Sequence, residues 1–188
     1  MSEPTNGGRM TSLDAAFYYL ERTGQLLHVG GVYTVEGAID FERLLTDLAG
    51  RMHLIPRYTE RVVSVPLNLA HPTWEPDPHF DIRHHVLQQK LRPPGGDEQL
   101  VTLVSRLFAQ PLKRSRPLWE LHQIDGYRCE RSVIFAKVHH CMIDGVSGVL
   151  APPSCGVPSG TPRRSSLRLP LSLPGSFASL TMITRTDS

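Results

Sequence analysis

Cysteine is scarce in this chain. Its 188 residues hold only Cys129, Cys141 and Cys155, too few and too irregularly spaced for a disulfide framework or a paired-cysteine metal knuckle. That usage points to a reducing compartment. Long apolar runs are also missing. The longest, Val133 to Val138, is strand-sized and interrupted by Lys137, far short of the roughly 20 residues that cross a bilayer. Nor is there an excess of charge of one sign. Lys plus Arg number 20 against 18 Asp plus Glu, a formal net charge of +2, which gives no support to a nucleic-acid partner. Residues 1–8 are polar and carry no apolar core, so no secretory signal is expected.

What is present is a folded stretch and a tail. A hydrophobic fraction of 40% suits a globular domain with one sizeable core. Residues 1–9 read as a flexible N-terminus and residues 10–150 as the folded part. Residues 151–188 read as an irregular, disordered C-terminal tail. Pro152, Pro153, Pro158, Pro162, Pro170 and Pro174 remove backbone donors there, and few large apolar side chains offset the entropy of ordering. The tail holds Arg163, Arg164, Arg168 and Arg185 against Asp187 alone, so the positive balance of the chain resides in it.

Within the folded part, helical and strand periods alternate. Thr11 to Asp14 has the form of a helix start, followed by Leu13, Phe17 and Leu20 on one expected inward face. Leu27–Val35 reads as a strand through Gly30-Gly31, a pair expected to mark a bulge or close packing. Asp40 caps a second helix that turns Phe41, Leu44, Leu45 and Leu48 inward. Glu60–Val65 and Phe80–Leu91 read as strands, with His84-His85 half-exposed on the latter. Leu100, Val101, Val104 and Leu107 define a third helix over 97–108. Leu118–Ile124 is a strand, and Ser132–His139 is the most apolar strand and the candidate sheet centre. Trp74 and Trp119 read as core anchors rather than substrate contacts. The class is mixed α/β, with helices covering a sheet.

The chemistry collects where the last of these strands ends. His139-His140-Cys141-Met142-Ile143-Asp144-Gly145 places two imidazoles at a strand terminus, then a turn at Asp144-Gly145 that leads into a helix from Val146. Strand ends in α/β proteins are where ligands gather. A hydroxyl does not attack an acyl carbon unaided at neutral pH, and a positioned histidine can take its proton in the transition state. Two other readings compete: a packed strand end with one ring in the core, and a zinc site, which would need a third ligand besides His139 and His140. Ser147 is not set in a nucleophile elbow.

The spacing HHxxxDG resembles the active-site motif of the bacterial wax ester synthase/diacylglycerol acyltransferase family, relatives of chloramphenicol acetyltransferase and of peptide-synthetase condensation domains. Met10 to Phe17, Trp74 to Ile82 with His84-His85-Val86, Pro93-Pro94-Gly95 and Arg116 to Glu120 are similar to further blocks of that family, in order. The resemblance implies a two-layer α/β sandwich, one lobe of the chloramphenicol acetyltransferase-like fold. It implies direct transfer of an acyl group from acyl-coenzyme A to diacylglycerol or a long-chain alcohol, without an acyl-enzyme. It makes His140 the general base, His139 a candidate support, Asp144 a loop-holding residue and Gly145 the turn. Acyl-coenzyme A is a co-substrate, and no bound cofactor or metal is expected.

The resemblance has departures. Lys113 stands where an acidic residue is expected before Arg116. Family members are longer and carry a second lobe after the motif, whereas Pro152-Pro153 stops the helix here and the tail matches nothing. The expectation is therefore an N-terminal lobe followed by an unrelated tail, as a frameshift would produce. Either a second chain supplies the missing lobe, or the chain is an inactive fragment or interaction module. The expected location is cytoplasmic, with peripheral contact at the inner membrane face or a lipid droplet.

Overall fold

The computed structural model describes residues 8–21, 25–128, 131–142 and 179–184. Helix α1 spans Ser12–Leu20 and starts on Thr11, whose hydroxyl oxygen accepts from the Asp14 N–H. Strand β1 is His28–Glu36. Helix α2, Phe41–Ala49, starts on Asp40, whose carboxylate accepts from the Arg43 N–H. A hairpin follows, β2 at Glu60–Val63 paired antiparallel with β3 at Thr73–Pro76. Then come β4 at Val86–Lys90, α3 at Asp97–Phe108, β5 at Trp119–Tyr127, β6 at Arg131–His139 and β7 at Ser179–Thr184.

The main sheet has the order β4-β5-β6-β1-β7. Strand β6 lies at its centre, antiparallel to both β5 and β1. Alternate residues of these strands serve two cores. On one face Val32, Ile124, Val133 and Phe135 pack against Leu100, Val104 and Leu107 of α3. On the other, Tyr33, Leu121, Ile134 and Ala136 pack against Ala15 and Tyr18 of α1, Leu45 and Leu48 of α2, and Trp74 of the hairpin. The mixed α/β class expected from the sequence is the observed one.

Three local expectations are corrected, and one is resolved between its two alternatives. Leu13 and Leu20 of α1 are exposed, and the helix buries Ala15 and Tyr18 instead, because its C-terminal end is drawn to the sheet through Tyr18 and Glu21 rather than through its leucines. The segment 80–85 is not strand: a single turn over Ile82–His84 precedes β4. His85 is fully buried there, its Nδ1–H donating to the Trp119 carbonyl at 2.9 Å and its ring stacked on both Phe80 and Trp119. For Gly30-Gly31, expected as a bulge or a close-packing point, close packing is the outcome: β1 runs in unbroken register with β6, and the Tyr33 ring fills the space above Gly31. Within the tail, residues 179–184 are ordered as β7, parallel to β1. The run Leu180-Thr181-Met182-Ile183 is the most strand-prone of the tail, and it meets the β1 edge that β6 leaves open. Residues 151–178 and 185–188 lie outside the described residues.

One glycine is set by geometry. Gly95, at φ +67°, precedes α3, and a side-chain Cβ there would collide with the Gly126 carbonyl oxygen in the β5 irregularity. Both groups are backbone and neither can step aside. Gly95→Ala is expected to cost about 2–4 kcal/mol, seen as a lower urea midpoint at unchanged slope.

Candidate active site

The paired histidines end β6, and the strand's alternation sends their rings to different surroundings. His139 is wholly buried. Its Nδ1 accepts from the Cys141 N–H at 3.1 Å, which places the ring proton on Nε2. That Nε2 lies 3.5 Å from the Glu21 carboxylate. His140 opens a single helical turn through Met142 and is only half-buried. Its ring stacks on Phe17 of α1, with centroids 4.0 Å apart at 30°, and its backbone N–H donates to the Leu27 carbonyl at 2.8 Å. Its Nδ1 is buried without a hydrogen-bond partner among the described residues. Of the two residues, His140 is the less buried.

Behind the pair lies a buried polar hub that sequence reading missed. Glu21 Oε1 is 3.1 Å from His28 Nε2 and accepts from the Leu27 N–H at 3.3 Å. Its Oε2 takes the Arg114 guanidinium at 3.1 Å. Burial opposes ionisation of Glu21, but the His139 and His28 imidazoles beside it outweigh that and hold the carboxyl far below its usual range. Arg114 also donates to the Tyr18 and Glu21 carbonyls at the end of α1 and lies 4.2 Å from the centre of the Tyr18 ring. The hub thus ties α1, the start of β1 and the end of β6 together. No local pattern marks it, since its members are spread from Glu21 to His139; the only signal is two charged or polar residues, Glu21 and His28, flanking a strand start that is otherwise apolar.

A second buried group lies on β5 and β6. Lys137 is fully buried, and its ammonium donates to the Leu107 and Gln110 carbonyls at the end of α3, both at 3.0 Å. It completes its donors on Glu120 Oε2 at 3.1 Å, which also meets His122 Nε2 at 3.3 Å. Burial lowers the Lys137 pKa, partly countered by Glu120. For Glu120, burial is again opposed and outweighed by His122 and Lys137, leaving its carboxyl at about 2. The stabilisation from Glu120 is complete above the ordinary carboxyl value of 4.5 and drains away as pH falls from there through about 2. Urea midpoints measured from pH 7 to pH 2 should therefore fall below pH 4.5, and Glu120→Gln should start lower and fall less steeply over that interval.

Burial also pushes the Cys141 thiol well above its usual range, so it supplies no thiolate. Among the described residues no group of three or more His, Cys, Asp and Glu side chains is arranged to hold a metal ion. Asp144 and Gly145 lie outside the described residues.

Comparison with known proteins decides the family. The sequence profile of the wax ester synthase/diacylglycerol acyltransferase catalytic domain matches residues 10–155. The chain belongs to that family. Among curated relatives, a protein described as probable diacylglycerol O-acyltransferase tgs3 of Mycobacterium tuberculosis is 40% identical over 144 residues, covering 75% of this chain and 53% of that protein. The one described as probable diacylglycerol O-acyltransferase tgs1 is 38% identical over 141 residues, covering 73% of this chain and 30% of the relative. The solved wax ester synthase/diacylglycerol acyltransferase of Marinobacter aquaeolei VT8 superposes with a TM-score of 0.64 at 31% identity, over 74% of this chain and 36% of that one. The starter condensation domain of rhizomide synthetase shares the fold, with a TM-score of 0.56 at 13% identity over 72% of this chain and 33% of the other. The chain spans about half or less of the length of these acyltransferase relatives.

Proposed function

We propose that this acyltransferase-family chain carries the general-base lobe of an acyl-coenzyme A-dependent O-acyltransferase, with His140 as the base. The observation that supports it is the division of the histidine pair: His139 is sealed in the hub and its tautomer held, while His140 is half-open on an aromatic support. His140 Nε2 takes the proton from the acceptor hydroxyl as the oxygen attacks the thioester carbon. The tetrahedral oxyanion then collapses, the carbon–sulfur bond breaks, and the imidazolium returns the proton to the coenzyme A thiolate. Ester and free thiol are the products, and no acyl-enzyme forms. His139 acts as a positioning residue, Asp144 as a loop holder and Gly145 as the turn. The acceptor is diacylglycerol, giving triacylglycerol, or a long-chain alcohol, giving a wax ester.

Among the described residues no helix is long and apolar enough to cross a membrane. We place the chain in the cytoplasm with peripheral contact at the inner membrane face or a lipid droplet, as its lipid substrates require. Leu13 and Leu20 stay exposed on the helix whose Phe17 supports His140. That exposure favours a second reading, in which another lobe, from a further chain, must lie over α1 before turnover begins.

The test is purified protein with labelled acyl-coenzyme A and either diacylglycerol or hexadecanol. Labelled triacylglycerol or wax ester is expected. A cooperatively melting protein that forms neither ester, alone or mixed with the second lobe of a relative, overturns the catalytic reading and leaves a non-catalytic interaction module.

A further inference from the structure

The loop that joins β2 to β3 carries the two most exposed large apolar side chains among the described residues. Leu67 is 89% exposed and Leu69 80%. Leu67 also sits at φ 58° and ψ 14°, the left-handed region that leucine rarely takes and that glycine or asparagine take readily. The chain thus holds an apolar side chain out in water on a strained backbone, and at that exposure little inside the molecule offsets either cost. Residues 62–74 contain no Asp, Glu, Lys or Arg that would favour water around the loop.

Leu69 also lines a recess of about 610 Å³, together with Arg9, Tyr19, Ala70 and His71. Arg9 is bridged to Thr73 at the start of β3, and the Met10 N–H donates to the Pro72 carbonyl at 2.8 Å, so the guanidinium is anchored beside the loop. Tyr19 of α1 lies against His71, with ring centroids 6.2 Å apart, and is itself 42% exposed. Arg9 has no ion-pair partner among the described residues, and no carboxylate lines the recess. Leucines at a loop tip, a tyrosine at the rim and an unmatched cation match the layers of a bilayer surface: apolar groups enter the acyl region, aromatic rings sit at the boundary, and guanidinium meets phosphate. Helix α1 links this face to the histidine pair, since its Phe17 stacks on His140 and its Tyr19 edges the recess.

We propose that the β2–β3 loop docks the chain on an anionic phospholipid bilayer, with Leu67 and Leu69 entering the acyl region and Arg9 on the headgroup phosphates. The choice of a bilayer rests on the lipid acceptor proposed above; the surface rests on the loop itself. Area argues against a second copy of the chain as the occupant. Two leucines and part of a tyrosine offer roughly 300 Å² of apolar surface, against about 800 Å² per partner in a stable protein interface. A bilayer has no such requirement, because a few inserted side chains with one favourable charge suffice for reversible binding.

The probe is a phosphatidylcholine vesicle containing phosphatidylglycerol, floated with the full chain on a sucrose gradient. The chain should float with it, and float less with pure phosphatidylcholine or as salt is raised. Leu67→Ser combined with Leu69→Ser should lower the partition coefficient about tenfold or more. Arg9→Gln should lower it about fivefold on the anionic vesicles and leave it unchanged on the neutral ones. Both leucines are exposed, so unchanged melting temperatures will show that the fold is kept. Leu67→Asn suits the left-handed backbone and should melt no lower than the parent while floating less. No flotation of the parent, or flotation indifferent to the leucine variants, overturns the proposal. A dimer in solution that the leucine variants dissolve, without flotation, assigns the face to a second copy and overturns it as well. Ester formation from detergent-dispersed diacylglycerol without flotation sinks this inference alone, whereas flotation without ester formation sinks the catalytic reading alone.

Discussion

His140→Ala should abolish acyl transfer and leave the fold standing. A positioned general base contributes on the order of 10²–10⁴-fold to such a step. No other imidazole can substitute here, because His139 is fully buried with Nδ1 engaged by the Cys141 N–H and Nε2 facing Glu21. The fold should survive because His140 is only partly buried, and the tie that holds the residue is its backbone N–H to Leu27, which alanine retains. The measurement is ester formation from labelled acyl-coenzyme A, alongside a thermal melt. A variant that melts like the parent and keeps more than a tenth of its rate would rule His140 out as the base. His139→Ala separates the two roles from the other side. It removes the acceptor for the Cys141 N–H and a neighbour of Glu21 inside the protein, so it should lower stability as well as rate.

Glu21→Ala should be the most damaging single change to stability. The carboxylate, with a side chain only 6% exposed, faces His28, His139 and Arg114 and accepts from the Leu27 N–H. Removing one member of a buried charged group strands the others, at a cost of about 3–5 kcal/mol. Whole domains are stable by only about 5–15 kcal/mol, so the variant should be close to unfolded at 37 °C. Glu21→Gln keeps an acceptor oxygen, loses the charge and should fall between. Denaturant midpoints at pH 7 check both. The acid response gives an independent reading. The folded-state pKa of Glu21 is depressed, so its contribution is complete above the ordinary value of 4.5 and is lost as pH falls below it. Glu21→Gln should remove that part of the acid sensitivity. Equal stability of parent and Glu21→Ala would show that the hub holds nothing in place.

The parts of the fold that were legible in the chain are those written in local pattern. The 3.6-residue period over 97–108 and the Asp40 start of α2 both came out within a residue of their observed bounds, since capping and amphipathicity act within one helix. The apolar strand ending in two histidines was equally plain. The leucines of α1 misled, because an apolar side chain marks an inward face only if something covers it. His85 misled in the opposite sense: two adjacent histidines look like surface, and only the stacking of Phe80 and Trp119 on either side makes a buried site for one of them. Strand β7 was missed because its partner, β1, lies some 150 positions earlier in the chain, and pairing across that distance leaves no periodic trace nearby.

Local spacing of residues therefore sufficed to establish the α/β class, the family and the two candidate imidazoles. Which imidazole is buried, and what surrounds it, depended on the assembled sheet. Burial and charge pairing are properties of the space between elements: Glu21, His28, Arg114 and His139 become one group only when α1, β1 and β6 meet.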